Sequence, residues 1–208
     1  MSARIINKIA MKKIMFNDRY GLTTAVLEGH KTQTRRLSGF YDQTMNPHLT
    51  LLLRSEKGRE EFVALKSKYK IGEVVAIAQS YSDCAKEELQ PKFKGHIYPP
   101  YHLYDDVAGW DNKMFVKADL MPHHIKITDI RVERLQDISD EDCIAEGISK
   151  VDFALKERGL YSFRYENEWY EQFQTPREAF AYLIDKICGK GTWSRNPWVF
   201  VYGFELVD

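Results

Sequence analysis

The strand-forming segments of this chain do not alternate with its helix-forming ones, and that order argues against a doubly wound parallel sheet. Lys12–Phe16, Val74–Ser80, Ile125–Leu135 and Trp198–Val207 read as strands. In Ile125–Leu135 the apolar residues Ile125, Ile127, Ile130, Val132 and Leu135 alternate with polar ones, and a break in the alternation predicts a bulge or bend near Asp129. Trp198–Val207 is aromatic and β-branched throughout. Helices fall irregularly between them. Asn17 or Asp18 caps one that carries Leu22, Val26 and Leu27 and closes at Gly29. A charged helix runs through Glu60–Lys66, and Ser139 opens a short one ending at Gly147. Thr175-Pro176-Arg177-Glu178 is a fuller helix start, followed by Phe180, Leu183, Ile184 and Ile187 on one face and by Gly189. The fold class expected is α+β, a small, mostly antiparallel β-barrel decorated with flanking helices.

The expected organisation is an N-terminal extension at 1–11 and a single domain at 12–208, with insertions at about 38–68 and 81–122. The second insertion is rich in proline and tyrosine and lacks periodicity, which marks it as functional or partly mobile. With 30 basic and 30 acidic residues there is no global field to draw the protein onto a polyanion, so nucleic-acid contact must use a local patch. Cys84, Cys143 and Cys188 are scattered and odd in number, which fits a reducing compartment. No stretch reaches the roughly 18–20 apolar residues of a membrane span. A cytoplasmic protein without a membrane partner is expected; nothing in the chain speaks to oligomeric state.

Gly29-His30-Lys31-Thr32-Gln33-Thr34-Arg35-Arg36 is the richest run for chemistry. Gly29 permits the left-handed turn out of a helix. In an extended segment Lys31 falls with Gln33, and Thr34 with Thr32 and Arg36. Lys31 and Thr34 converge only if the chain turns or bulges between them. A converged pair would bind an anionic or carbonyl oxygen, or the lysine would activate the hydroxyl as a nucleophile. The plainer reading is a solvated basic edge strand. Arg35 and Arg36 add planar forks suited to phosphate or carboxylate, or to surface ion pairs.

The run GHKTQTRR resembles the G-x-K-x-x-T motif of the ASCH domain, a branch of the PUA-like superfamily. IGEVVAIAQSY, IKITDIRVERLQDISDEDCIAEGI and GTWSRNPWVFVYGFEL resemble, in the same order, later segments of phage- and prophage-associated members. Together these cover most of the chain from about Lys12. The resemblance implies a PUA-like β-barrel and a cleft at the motif that binds RNA, a nucleotide or a modified nucleoside. It also implies an alternative, drawn from a small bacterial branch that removes the acetyl group from N4-acetylcytidine. There Thr34 would be nucleophile and Lys31 proton acceptor, and the Glu proton donor would fall on Gln79. A glutamine amide orients a carbonyl but does not exchange protons near neutral pH. Glu73 and Asp83 are the nearest acids in sequence. A third reading is a non-catalytic phage or prophage interaction protein whose partner surface is the 81–122 insertion.

Tyr81, Trp193, Trp198 and Tyr202 are stacking candidates, with Trp198 and Tyr202 better explained as core residues of a terminal strand. Trp193 lies in what reads as a flexible polar loop, Gly189–Asn196, where ligand stacking competes with packing over the barrel end. Asn196 reads as a turn residue with some capacity to read a base. His123 and His124 are adjacent and point oppositely in an extended chain, so no metal site is expected, and no cofactor is implied. Cys143 and Cys188 read as core residues on helix faces.

Overall fold

The computed structural model describes residues 11–39, 47–86, 108–151, 159–166 and 168–207. The N-terminal extension and most of the tyrosine- and proline-rich insertion therefore lie outside the described residues. The strands are β1 (Lys13–Ile14), β2 (Gln33–Leu37), β3 (Val74–Ile77), β4 (His124–Arg134), β5 (Ser149–Val151), β6 (Leu160–Ser162), β7 (Arg164–Tyr165), β8 (Glu168–Trp169) and β9 (Trp198–Leu206). The helices are α1 (Leu22–Leu27), α2 (Pro47–Leu52), α3 (Glu56–Lys66), α4 (Tyr81–Lys86), α5 (Asp140–Ala145), α6 (Pro176–Cys188) and α7 (Thr192–Arg195). The class is α+β. Five strands form one sheet in the order β1-β3-β4-β9-β2, mixed because β1 and β3 are parallel while β2 and β9 are antiparallel.

The chain divides into two compact units. The first holds β1, β3, α4 and the chain up to Ile125. Its small core is Ala76, Ala78, Val116 and Met121, with Met15 and Tyr81 packed against it. The Lys13 ammonium donates to the carbonyls of Lys113, Met114 and Val116 at 2.7–2.9 Å and so pins that turn.

The second unit comprises Asn17–Glu73 and Lys126–Leu206. Antiparallel pairing runs from Gln33 opposite Gly203 to Leu37 opposite Val199. Phe62 on α3 stacks on Phe200 at 5.3 Å, and Tyr69 meets Tyr202 edge-on at 5.1 Å. Helix α6 starts as its sequence predicts. The Thr175 hydroxyl accepts from the Glu178 N–H, Glu178 reaches back to the Thr175 N–H, and Pro176 occupies the first turn. Phe180, Leu183 and Ile184 are buried on its inner face.

Gly58 on α3 marks a tight point. A Cβ there would lie 1.9 Å from the Leu52 carbonyl oxygen, which is backbone and has little room to give. Gly58→Ala is therefore expected to lower stability by about 1–3 kcal/mol although alanine is the better helix former. A urea titration against wild type measures it; an unchanged or raised midpoint would contradict the packing described.

Gly189–Asn196 differs from the loop expected. It forms α7, because both Asp185 carboxylate oxygens are occupied by backbone N–H groups, those of Gly191 (2.9 Å) and Trp193 (2.7 Å). The short pairs β5–β6 and β7–β8 also appear where the sequence carries no strand signal. No described helix is long and apolar enough to cross a membrane.

Candidate functional site

Two chain reversals place Lys31. Helix α1 ends at Glu28, Gly29 takes φ +74°, and the Lys31 N–H closes on the Ala25 carbonyl at 2.8 Å. The second reversal ends α5. Ser139 caps that helix by accepting from the Asp142 N–H, and Gly147 at φ +104° turns the chain away. A Cβ on Gly147 would make only ordinary contact with the Lys31 stem at 3.7 Å, so the backbone angle and not crowding is what favours glycine there. The Thr32 N–H donates to the Ala145 carbonyl at 3.0 Å and locks the two reversals together.

The Lys31 ammonium then meets Glu146. It donates to the Glu146 carboxylate Oε2 at 2.6 Å and to its backbone carbonyl at 2.7 Å. The two side chains are 1% and 6% exposed, so the pair is nearly dry. Burial pushes Lys31 below the ordinary lysine value; Glu146 pulls it back up, and Arg36 and Arg35 push it further down.

Gln33 and Arg35 share the face of β2 that strand alternation assigns to them with Lys31. Arg35 spans three carboxylates: Glu146 Oε1 at 3.2 Å, Glu133 Oε1 at 2.6 Å and Asp142 Oδ2 at 2.6 Å. It also donates to Gln33 Oε1 at 2.7 Å. Arg131 completes the network through Asp142 (2.6 Å), Glu133 (3.1 Å) and Asp129 (3.0 Å). Three cations, Lys31, Arg35 and Arg131, are thus neutralised by acids from α5 and β4. Neither Lys31 nor Arg35 offers an uncommitted charge to a phosphate.

Burial opposes ionisation of Asp142, but Arg35 and then Arg131 outweigh it and hold the carboxyl below the ordinary aspartate value. The stability it contributes is therefore fully present above the unfolded aspartate range and is lost as pH falls through the lower folded value. Thermal midpoints followed from about pH 5 to pH 2 are expected to fall less steeply in Asp142→Asn than in wild type. Parallel curves would show that Asp142 titrates as a free carboxyl.

Thr34 and Arg36 take the alternate positions of β2. Thr34 is buried opposite Tyr202, and the Arg36 guanidinium is buried near Tyr69 and Tyr202, with burial depressing its pKa. Arg36 feels Glu146 and Lys31 electrostatically from the other face of the strand, while Thr34 alternates away from Gln33 and Arg35.

The other expected site residues have partners of their own. Gln79 and Tyr81 belong to the first unit, where Gln79 is buried and the Tyr81 N–H bonds the Gly109 carbonyl. Asp83, in the same unit, accepts from the Ser80 N–H, and Glu73, in the second, accepts from the Lys70 N–H. Trp193 packs edge-on to Phe180 at 6.2 Å beneath the Arg177 guanidinium, and Asn196 Oδ1 accepts from the Gln136 N–H. These two hold the α6–α7 corner in place. Cys143 is buried, and burial pushes its thiol up to about 12. Among the described residues no group of three or more His, Cys, Asp or Glu side chains is placed to hold a metal ion.

Beside the lysine pair opens a cleft of about 110 Å³ lined by Tyr20, His30, Gly147, Ser149, Arg164 and Trp169 among others. His30 and Gly147 are the chain neighbours of Lys31 and Glu146. Trp169 is 38% exposed, with the Arg164 guanidinium 4.7 Å from its ring centre. Sequence reasoning missed both Glu146 and Trp169. Compared with protein-family models, curated proteins and solved structures, the chain matches none.

Proposed function

We propose that this chain is an ASCH-type protein on a PUA-like barrel and that it binds a nucleoside, above all one modified on its base, at the cleft beside Lys31. The observation that carries this reading is a cleft with an exposed tryptophan whose lining includes His30 and Gly147, the chain neighbours of the buried Lys31–Glu146 pair. The cleft is comparable to the roughly 150 Å³ cavity that accommodates a benzene ring. Trp169 supplies a stacking surface for a base. Because Lys31 and Arg35 are neutralised, a nucleoside suits the site better than a phosphate-rich RNA or nucleotide.

The same pair favours a second reading, hydrolysis of an N4-acylated cytidine. The pair carries one exchangeable proton between its amine and its carboxylate. Burial lowers the Lys31 pKa and so brings its neutral amine closer to reach than in a solvated lysine. That amine is the base an amide cleavage requires, and Glu146 holds it in place. Lys31 takes the Thr34 hydroxyl proton as the oxygen adds to the acyl carbon. The C–N bond then breaks, and the leaving 4-amino group takes from Lys31 the proton that came from Thr34. Water finally hydrolyses the threonyl ester.

The test is incubation with N4-acetylcytidine, chromatography of the products and titration with the unreactive nucleoside cytidine. Release of cytidine and acetate, lowered about 100-fold or more in Thr34→Ala, supports the hydrolase. Saturable binding without turnover leaves the binding protein. Neither binding nor turnover rejects both.

A further inference from the structure

A larger groove in the second unit, about 730 Å³, lies between α3 and β4. One wall is a stripe of α3: Glu56, Glu60, Val63 and Ala64 recur at helical spacing along it. The other wall is the far half of β4, Ile130–Glu133. Gly72 and Glu73 pair with β4 at Ile127, through bonds of 2.8 and 3.0 Å, and β4 runs on past that point to Arg134. The floor is apolar. It includes Val132, Trp198 and Ile71, the last 67% exposed. The Trp198 indole N–H is buried without a hydrogen-bond partner among the described residues.

The charges on the groove are not balanced. Arg131 is committed to Asp129, Glu133 and Asp142, while Arg59 keeps its charge as it donates to the Leu53 carbonyl at 3.2 Å and so offsets one of the lining carboxylates. Glu56 and Glu60 are exposed and make no ion pair with any described residue, and Asp137 adds a third carboxylate at the rim. The groove therefore presents negative charge over an apolar floor, which repels a nucleic acid and selects a cationic, partly apolar occupant. Its size lies within the roughly 300–1,000 Å³ of ordinary ligand sites.

We propose that this groove docks an extended basic segment of a partner protein, laid along the overhang of β4. Alternate side chains of an extended segment point to opposite sides, so its lysines or arginines meet Glu56, Glu60 and Asp137 while its apolar residues cover Ile71 and Trp198. The groove borders the ion network through Arg131 and Glu133 but uses none of Lys31, Thr34, Glu146 or Trp169, on which the nucleoside reading rests.

A displayed library of random short peptides, selected in parallel on wild-type protein and on Glu60→Lys, tests this. Glu60 is exposed on α3 and a lysine there faces Glu56 one turn away, so the variant is expected to keep the wild-type circular dichroism and thermal midpoint. The expected result is a wild-type pool in which Lys or Arg alternates with apolar residues. Synthetic members of that pool should bind Glu60→Lys about tenfold more weakly or worse, by fluorescence anisotropy, and lose affinity as salt rises. No enrichment over the variant, or peptides that bind both proteins equally, overturns the proposal. Spermidine bound with the same Glu60 sensitivity, in the absence of any peptide enrichment, also overturns it and makes the groove a polyamine site.

Discussion

Replacing Glu146 with alanine is expected to destabilise the second unit by about 3–5 kcal/mol. The substitution takes the carboxylate from the buried Lys31 ammonium, which keeps the backbone carbonyl of residue 146 as an acceptor, and takes one of three carboxylates from Arg35. A 1%-exposed ammonium cannot recover its hydration without opening the fold. The thermal midpoint should fall by roughly 10 °C. Calorimetry on the variant, with Lys31→Met alone and Lys31→Met/Glu146→Met beside it, separates the causes. If desolvated charge dominates, the double variant regains most of the loss, because two apolar chains of similar length need no hydration. If the double variant is as unstable as the sum of the singles, packing and not charge holds the site together.

The second large effect is expected at Arg35. Arg35→Ala leaves Glu133, Asp142 and Glu146 facing one another with only Lys31 and Arg131 between them. A cost of about 3–5 kcal/mol near neutral pH is expected. The sign of its pH dependence distinguishes it from a simple packing defect. Crowded carboxylates hold protons more tightly in the folded variant than in the unfolded chain. Acidification therefore favours the folded variant, while wild type loses the contribution of its depressed Asp142. The gap in stability between the two proteins should narrow from about pH 7 to pH 4, as followed by urea titration. A gap that is constant with pH would mean that the acids are not coupled through Arg35.

Much of this architecture was legible before any coordinates. Thr175-Pro176-Arg177-Glu178 and Ser139 announced α6 and α5 because caps are local chemistry. The long alternating run at 125–135 became β4, since burial of one face imposes its own period. Lys31 and Arg35 stood out as unusual cations near a helix exit. Their partner did not. Glu146 closes an acid-rich helical segment whose other acids are ordinary first-turn residues, and nothing local separates it from Glu141 or Asp142. Its place beside Lys31 comes from the meeting of two reversals more than a hundred residues apart. Trp169 was hidden for another reason. The pairs β7–β8 and β5–β6 have strands of two or three residues, too short to display a period. Trp193 misled because Gly189-Lys190-Gly191 has the composition of a loop, while the contact that makes it helical comes from Asp185 on the preceding helix.

The way Arg35 is held has a bearing on how such a chain can change over generations. Arg35 answers to three acids, and Glu133, Asp142 and Glu146 each answer to two cations, so a single replacement strands a charge in a poorly hydrated place. A lineage drifting one residue at a time meets a barrier at every first step, even where a quite different set of side chains would serve equally well at the end. Lys31, Arg35, Glu133, Asp142 and Glu146 are then expected to pass down as a block, kept together or replaced together, while Trp169 at the open mouth of the cleft is free to vary with whatever enters it.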